Sequence, residues 1–338
     1  MRKNNFAILH ILAAVMVIVG HQYILLGMQA PNILGINIHE LGVKILFLIS
    51  GYLVVGSYYR VANWKQYLKK RIERLYPELI LCLIVTILVM DIVTTAQQTQ
   101  YWHSACRYVI FNVIMRPRFA LAGVFQNNIY PMAVNGSLWT LPVELVCYII
   151  LIPIVILYNK ISSKHLRYAF WLAVLLSFSV FDIYRSFYPT EAFILWDTEW
   201  TNACSLILYF LLGMCFNVLN LQKYCNLQIA IVSIILWYCM PMSVRTFMLP
   251  YLLGYLIFSV ALVENPVFYK IIKRDICYGL YLYAFPIQQL LINYFYDKIN
   301  VEYRLEILLI TTIVITCVVA EWTYALDNRI RTSLRSRH

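Results

Sequence analysis

Charge is what this sequence has least of. Only 13% of its 338 residues are Asp, Glu, Lys or Arg, 62% are hydrophobic, and the mean hydropathy is +0.71; a soluble domain carries about a quarter charged residues. That shortage excludes a water-soluble globular chain and points to an integral membrane protein. Paired cysteine motifs are missing too. Nine cysteines are present, but Cys82, Cys147, Cys204, Cys215 and Cys317 sit inside apolar runs and no CxxC spacing occurs. They read as small packing residues, so neither a disulfide framework nor a metal site follows. No cleavable leader is expected, because the first apolar run is too long for a signal core. No appended soluble domain, internal repeat or low-complexity tract stands out, so residues 1–338 read as a single membrane domain.

What is present is a series of apolar windows, each of about the 20 residues that span a bilayer as helix. Ten are predicted, near residues 6–27, 41–59, 78–96, 139–158, 168–186, 203–219, 228–242, 247–263, 277–296 and 306–325. The expected fold class is therefore all-α, a polytopic protein of about ten transmembrane helices with both termini cytoplasmic. That orientation puts most of the 27 basic residues on the inner side, among them Arg2, Lys3, Lys65, Lys69, Lys70, Lys160, Lys164, Lys270, Lys273, Arg274 and Arg337. The bias obeys the positive-inside rule. It also accounts for the net charge of +11 without nucleic acid as a partner. The outer stretch from about 97 to 138 suits an amphipathic interfacial helix or a re-entrant segment.

Ionisable residues within spans carry the candidate chemistry, since each needs a partner or water. In "FAILHILAAVMVIVGHQYILLG" His10 and His21 are eleven residues apart. That spacing returns them to nearly the same helix face, about 16 Å apart along the axis. In "NGSLWTLPVEL" Pro142 opens the fourth span and Glu144 follows. A carboxylate there, at the predicted depth of His21, is a plausible support for a histidine acting as general base. "YLKKRIERLYP" is expected to be a cytoplasmic loop, in which Arg71 and Arg74 present guanidinium groups suited to a phosphate grip, or simply supply topological charge. Trp139, with its outer-side neighbours, suits an interfacial aromatic belt first and sugar stacking second. Ser137 is conceivable as a substrate contact or acyl carrier, though nothing in its sequence neighbourhood activates it and a structural serine is the plainer reading. His39, His103 and His165 fall between spans without ligand spacing, and no metal is expected.

These pieces together resemble the membrane acyltransferase family 3, which includes surface-polysaccharide O-acetyltransferases. "NNFAILHILAAVMVIVGHQY" puts His21 in register with the family's first-span histidine. "LGVKILFLISGYLVVGS" is similar to its GVxxFFxxSGYL signature and "KRIERLYP" to its basic loop ending in RxYP. "SLWTLPVEL" and "CYGLYLYAFPIQ" match its later elements, in the expected order from residue 4 to about 288. The resemblance implies transfer of acetyl from cytoplasmic acetyl-CoA, without a metal, to a hydroxyl of a surface polysaccharide or its lipid-linked precursor. The setting it implies is the bacterial cytoplasmic (inner) membrane, crossed several times, with membrane lipid as surroundings. By analogy His21 is the catalytic base, Glu144 its support, and Arg71 and Arg74, with His10, hold the donor. The sequence departs from the pattern where the family has arginine at His10, an acidic residue at Ala7 and a late-span histidine at Ala284. A histidine is not permanently charged as arginine is. A reading of another class therefore stands beside the enzyme: a polysaccharide exporter or a catalytically degenerate relative.

Overall fold

The computed structural model describes residues 4–61, 63–188, 192–262 and 276–335. Of the basic residues behind the predicted topology, Arg2, Lys3, Lys270, Lys273, Arg274 and Arg337 lie outside them. The described chain is mostly helical. Its helices are α1 (Phe6–Leu25), α2 (Ile38–Val61), α3 (Trp64–Met90), α4 (Gln98–Val113), α5 (Thr140–Lys160), α6 (Lys164–Phe187), α7 (Trp200–Val218), α8 (Leu227–Tyr238), α9 (Met242–Ala261), α10 (Cys277–Phe295) and α11 (Arg304–Arg335). Two short hairpins interrupt them: β1 (Asn32–Ile33) with β2 (Ile36–Asn37), and β3 (Ile194–Leu195) with β4 (Thr198–Glu199), both antiparallel.

Helices dominate because a backbone in hydrocarbon must satisfy its own hydrogen bonds. Among the described residues seven helices are long and apolar enough to cross a membrane, namely α1, α2, α5, α6, α7, α9 and α11. The other three predicted spans, 78–96, 228–242 and 277–296, also coincide with helices, α3, α8 and α10. Of these, α8 has 12 residues and is only about 18 Å long, short of a bilayer core of about 30 Å.

The predicted loop at Tyr67–Pro77 is instead helix. It forms the first half of α3, which begins at Trp64 and passes through Pro77. Lys, Arg, Glu, Gln and Leu are strong helix formers, and Asn63 caps the start, its side-chain oxygen accepting from Lys65 N–H at 2.9 Å and Gln66 N–H at 3.3 Å. The stretch from 97 to 138 holds α4, amphipathic as expected, with Tyr101, Ala105, Tyr108 and Asn112 buried along one face. His39, His103 and His165, predicted between spans, lie on α2, α4 and α6.

The chain divides into two compact units. One takes residues 1–10, 43–71 and 143–273; the other takes 11–42, 72–142 and 274–338. In the first unit α2 crosses α7 at Gly51 and Gly213. A side chain on Gly51 would collide with the Phe210 carbonyl, and one on Gly213 with that of Leu48. Small residues are what let membrane helices approach this closely. In the second unit α10 packs along α11, and Leu25, Phe285, Leu291, Ile292 and Leu308 form a buried cluster.

Candidate active site

In the second unit three of the sequence elements converge on His21. The late-span segment carries Pro286, which has no N–H to give the carbonyl of Leu282 four residues earlier. That carbonyl accepts instead from the side chain of Asn135 at 2.9 Å, with the Cys82 thiol also 3.6 Å away. The carboxamide oxygen of Asn135 accepts from Ser137 N–H at 3.1 Å, which starts the 3-10 turn Gly136–Trp139. Tyr281 of α10 completes the docking, its hydroxyl bonding Ser137 O at 3.1 Å and lying 2.7 Å from the Thr140 hydroxyl. Asn135 is fully buried, so each of these bonds replaces one that water cannot supply.

This docking sets the wall of His21. Gly136 has no side chain, and a Cβ there would meet the Phe285 ring at 2.7 Å. Phe285 is thereby admitted next to the turn, and its ring stands edge-on to His21 with centroids 5.3 Å apart. One turn away the carboxamide of Gln288 donates to Ile18 O at 2.8 Å and to Gln22 Oε1 at 3.0 Å, fixing α10 to α1. The His21 side chain is half-buried, while its Nδ1 is enclosed and has no hydrogen-bond partner among the described residues.

The other neighbour of His21 is His39, with ring centroids 5.6 Å apart and planes at 39°. The β1–β2 hairpin puts it there. Leu34 and Gly35 both take positive φ, at 55° and 81°, as a two-residue hairpin turn requires. The chain thereby doubles back, and α2 begins beside the C-terminal half of α1. Sequence reasoning passed over His39 because nothing local marks it; the hairpin at "NILGIN" is the only signal, and a faint one.

The first unit ties Arg71 and Glu144 into one chain of contacts. Arg71 donates to the Ser57 hydroxyl at 3.2 Å, and its guanidinium lies 5.9 Å from the Tyr67 ring centroid. The Tyr67 hydroxyl donates to Tyr148 O at 3.2 Å, and the Tyr148 hydroxyl donates to the Glu144 carboxylate. Neither tyrosine nor Ser57 was foreseen, since each reaches its partner across the fold and not along the sequence. His10 is buried in the same unit, on the same continuous helix as His21. Arg74 falls in the other unit on an exposed stretch of α3, so the expected arginine pair divides into a half-buried member and an exposed one. Ser137 is buried and Trp139 half-buried, both in the 3-10 turn Gly136–Trp139.

Residues 4–323 match the family described as "Acyltransferase domain", acyltransferase family 3. A protein of Shigella phage Sf6 named "O-acetyl transferase" is 28% identical over 300 residues, covering 86% of each chain. "Nodulation protein 10" of Rhizobium leguminosarum bv. viciae is 31% identical over 163 residues, 44% of this chain and 43% of its own. No solved structure matches.

Proposed function

The chain belongs to acyltransferase family 3 and is a membrane acyltransferase, and on that premise we propose that it transfers acetyl from cytoplasmic acetyl-CoA to a hydroxyl of a surface polysaccharide or its lipid-linked precursor. The observation that carries this reading is the environment of His21, a half-buried imidazole inside a span whose enclosed Nδ1 has no hydrogen-bond partner among the described residues. A desolvated nitrogen left unpaired costs stability unless a ligand uses it. A neutral imidazole is suited to take the proton of a sugar hydroxyl near physiological pH.

In the proposed step the acceptor oxygen attacks the thioester carbonyl carbon as His21 takes its proton. The new C–O bond forms, the C–S bond breaks, and the proton passes from His21 to the leaving thiolate. Arg71, Arg74 and His10 are assigned to the anionic donor. The Arg71 guanidinium is held by Ser57 and Tyr67, which supports a fixed grip on phosphate. Glu144, held by Tyr148, is assigned as the supporting carboxylate, and Trp139 and Ser137 as acceptor contacts. The chain is assigned to a single membrane domain with about ten membrane segments, α8 the short one among them, and both termini cytoplasmic, in the bacterial inner membrane. The name carried by the phage relative supports acetyl as the group moved.

The test compares base-labile O-acetyl esters on surface glycans of cells carrying wild type, His21→Ala or no chain, with protein levels matched. Esters made by wild type and lost in His21→Ala are the expected result. Wild-type ester levels from His21→Ala overturn the catalytic assignment. Absence of esters in all strains with an intact glycan overturns the transferase reading in favour of glycan passage.

A further inference from the structure

His39 has no part in the step above, yet its ring lies 5.6 Å from that of His21. Gly20, the residue before His21, makes the seat. A Cβ on Gly20 would lie 2.6 Å from His39 Cβ and 2.8 Å from both its backbone N and its Nδ1. Only glycine at that position lets α2 start against the backbone of α1, and the consequence is the 5.6 Å separation of the two rings. Nδ1 of His39 is enclosed and lacks a hydrogen-bond partner among the described residues, as does Nδ1 of His21. Behind it, Nε2 of His39 lies 3.9 Å from the carboxylate of Glu40, which also accepts from the Asn37 side chain at 3.0 Å. The His39 side chain keeps 16% of its surface exposed, so the pair is not sealed.

Two imidazoles with centroids 5.6 Å apart, His21 half-buried and His39 partly exposed, are close enough to act together on a single hydroxyl group. A neutral imidazole has one N–H donor and one acceptor nitrogen. The pair therefore supplies both halves of what a reacting alcohol needs: an acceptor for its proton and a donor for the negative charge that develops on its oxygen. Phe285, edge-on to His21, offers no polar group to compete.

We propose that His39 is a second acceptor-binding residue, donating an imidazole N–H to the sugar hydroxyl whose proton His21 removes, in a seat made by Gly20. The inference rests on the transferase reading above. As the O–H proton moves to His21 and the C–O bond forms, the N–H of His39 follows the oxygen, while the C–S bond of the donor breaks and its thiolate takes the proton from His21. His39 exchanges no proton itself. Its loss consequently weakens use of the acceptor and leaves the donor side untouched.

The experiment uses the full chain in lipid nanodiscs, radiolabelled acetyl-CoA, and as acceptor surface polysaccharide stripped of esters by mild base. Michaelis constants for each substrate are measured for wild type, His39→Ala, His39→Gln, Gly20→Ala and His21→Ala, with size-exclusion profiles as the check on folding. His39→Ala is expected to raise the acceptor KM at least tenfold with the acetyl-CoA KM within twofold of wild type. His39→Gln, which keeps an N–H donor, is expected to recover most of that loss, and Gly20→Ala, which displaces the ring, to repeat it. An acceptor KM unchanged in His39→Ala, or equal shifts in both constants with no recovery by glutamine, overturns the assignment. Full activity of His21→Ala, or no transfer by wild type, strikes the transferase reading itself. Should His39→Ala aggregate, the comparison of His39→Gln with Gly20→Ala decides: equal acceptor constants in those two variants refute the proposal.

Discussion

Asn135 joins two elements far apart in sequence, and the strength of that joint can be worked out from its bonds. Replacing Asn135 with Ala removes the donor to Leu282 O and the acceptor for Ser137 N–H, both at a fully buried site. Each buried backbone group left unpaired costs about 1–3 kcal/mol, so Asn135→Ala is expected to cost about 2–6 kcal/mol. The Cys82 thiol 3.6 Å from Leu282 O is a weak donor and recovers little. Pro286 makes the argument sharper. Restoring a backbone N–H with Pro286→Ala lets Leu282 O close its own helical bond, so that the carbonyl no longer depends on Asn135. The double variant is then expected to be more stable than the sum of the single effects by about 1–2 kcal/mol. A thiol-reactive dye melt in detergent reads this directly, because Cys82, Cys147 and Cys215 are buried and become reactive only on unfolding. An Asn135→Ala melt like that of wild type, or a strictly additive double variant, refutes the account of why the two elements dock.

Gly51→Ala is expected to cost about 1–3 kcal/mol or more through overpacking against the Phe210 carbonyl. Gly56→Ala, whose Cβ meets at its nearest only the Asn217 side chain at 3.3 Å, is expected to melt close to wild type, and the same dye assay compares them. Tyr148→Phe removes the hydroxyl donor to Glu144, a charge-assisted bond worth about 1.5–3 kcal/mol. A lower transfer rate at matched protein level is expected, and an unchanged rate separates Glu144 from the reaction. Ser57→Ala frees the Arg71 guanidinium from its hydroxyl acceptor and is expected to raise the acetyl-CoA KM a few-fold with the acceptor KM unchanged. Substrate titrations in nanodiscs check that split.

Much of the molecule is legible without a structure. The membrane setting follows from composition, because long apolar runs have no other stable environment, and the order of five short elements points to the family. The shared face of His10 and His21 needs only the helical repeat, and α1 is indeed one continuous helix from Phe6 to Leu25. The amphipathic helix in the outer stretch was among the expected forms and is present as α4. A window tuned to apolar runs misread the start of α3 as a loop, because charge counts against a span while the same Lys, Arg and Glu residues favour helix.

What the sequence determined by itself is which apolar segments are helical, which side chains are costly to bury, and which family supplies the comparison. Each depends on local composition and spacing. Only the tertiary structure decided which side chains meet: His39 beside His21, Asn135 on the carbonyl that Pro286 leaves open, and Tyr148 on Glu144. In lipid one apolar helix face is much like another, so pairing is set by glycines that admit a neighbour and by buried polar groups that need a partner. Both are relations between distant positions, and they become visible when the chain has folded back on itself.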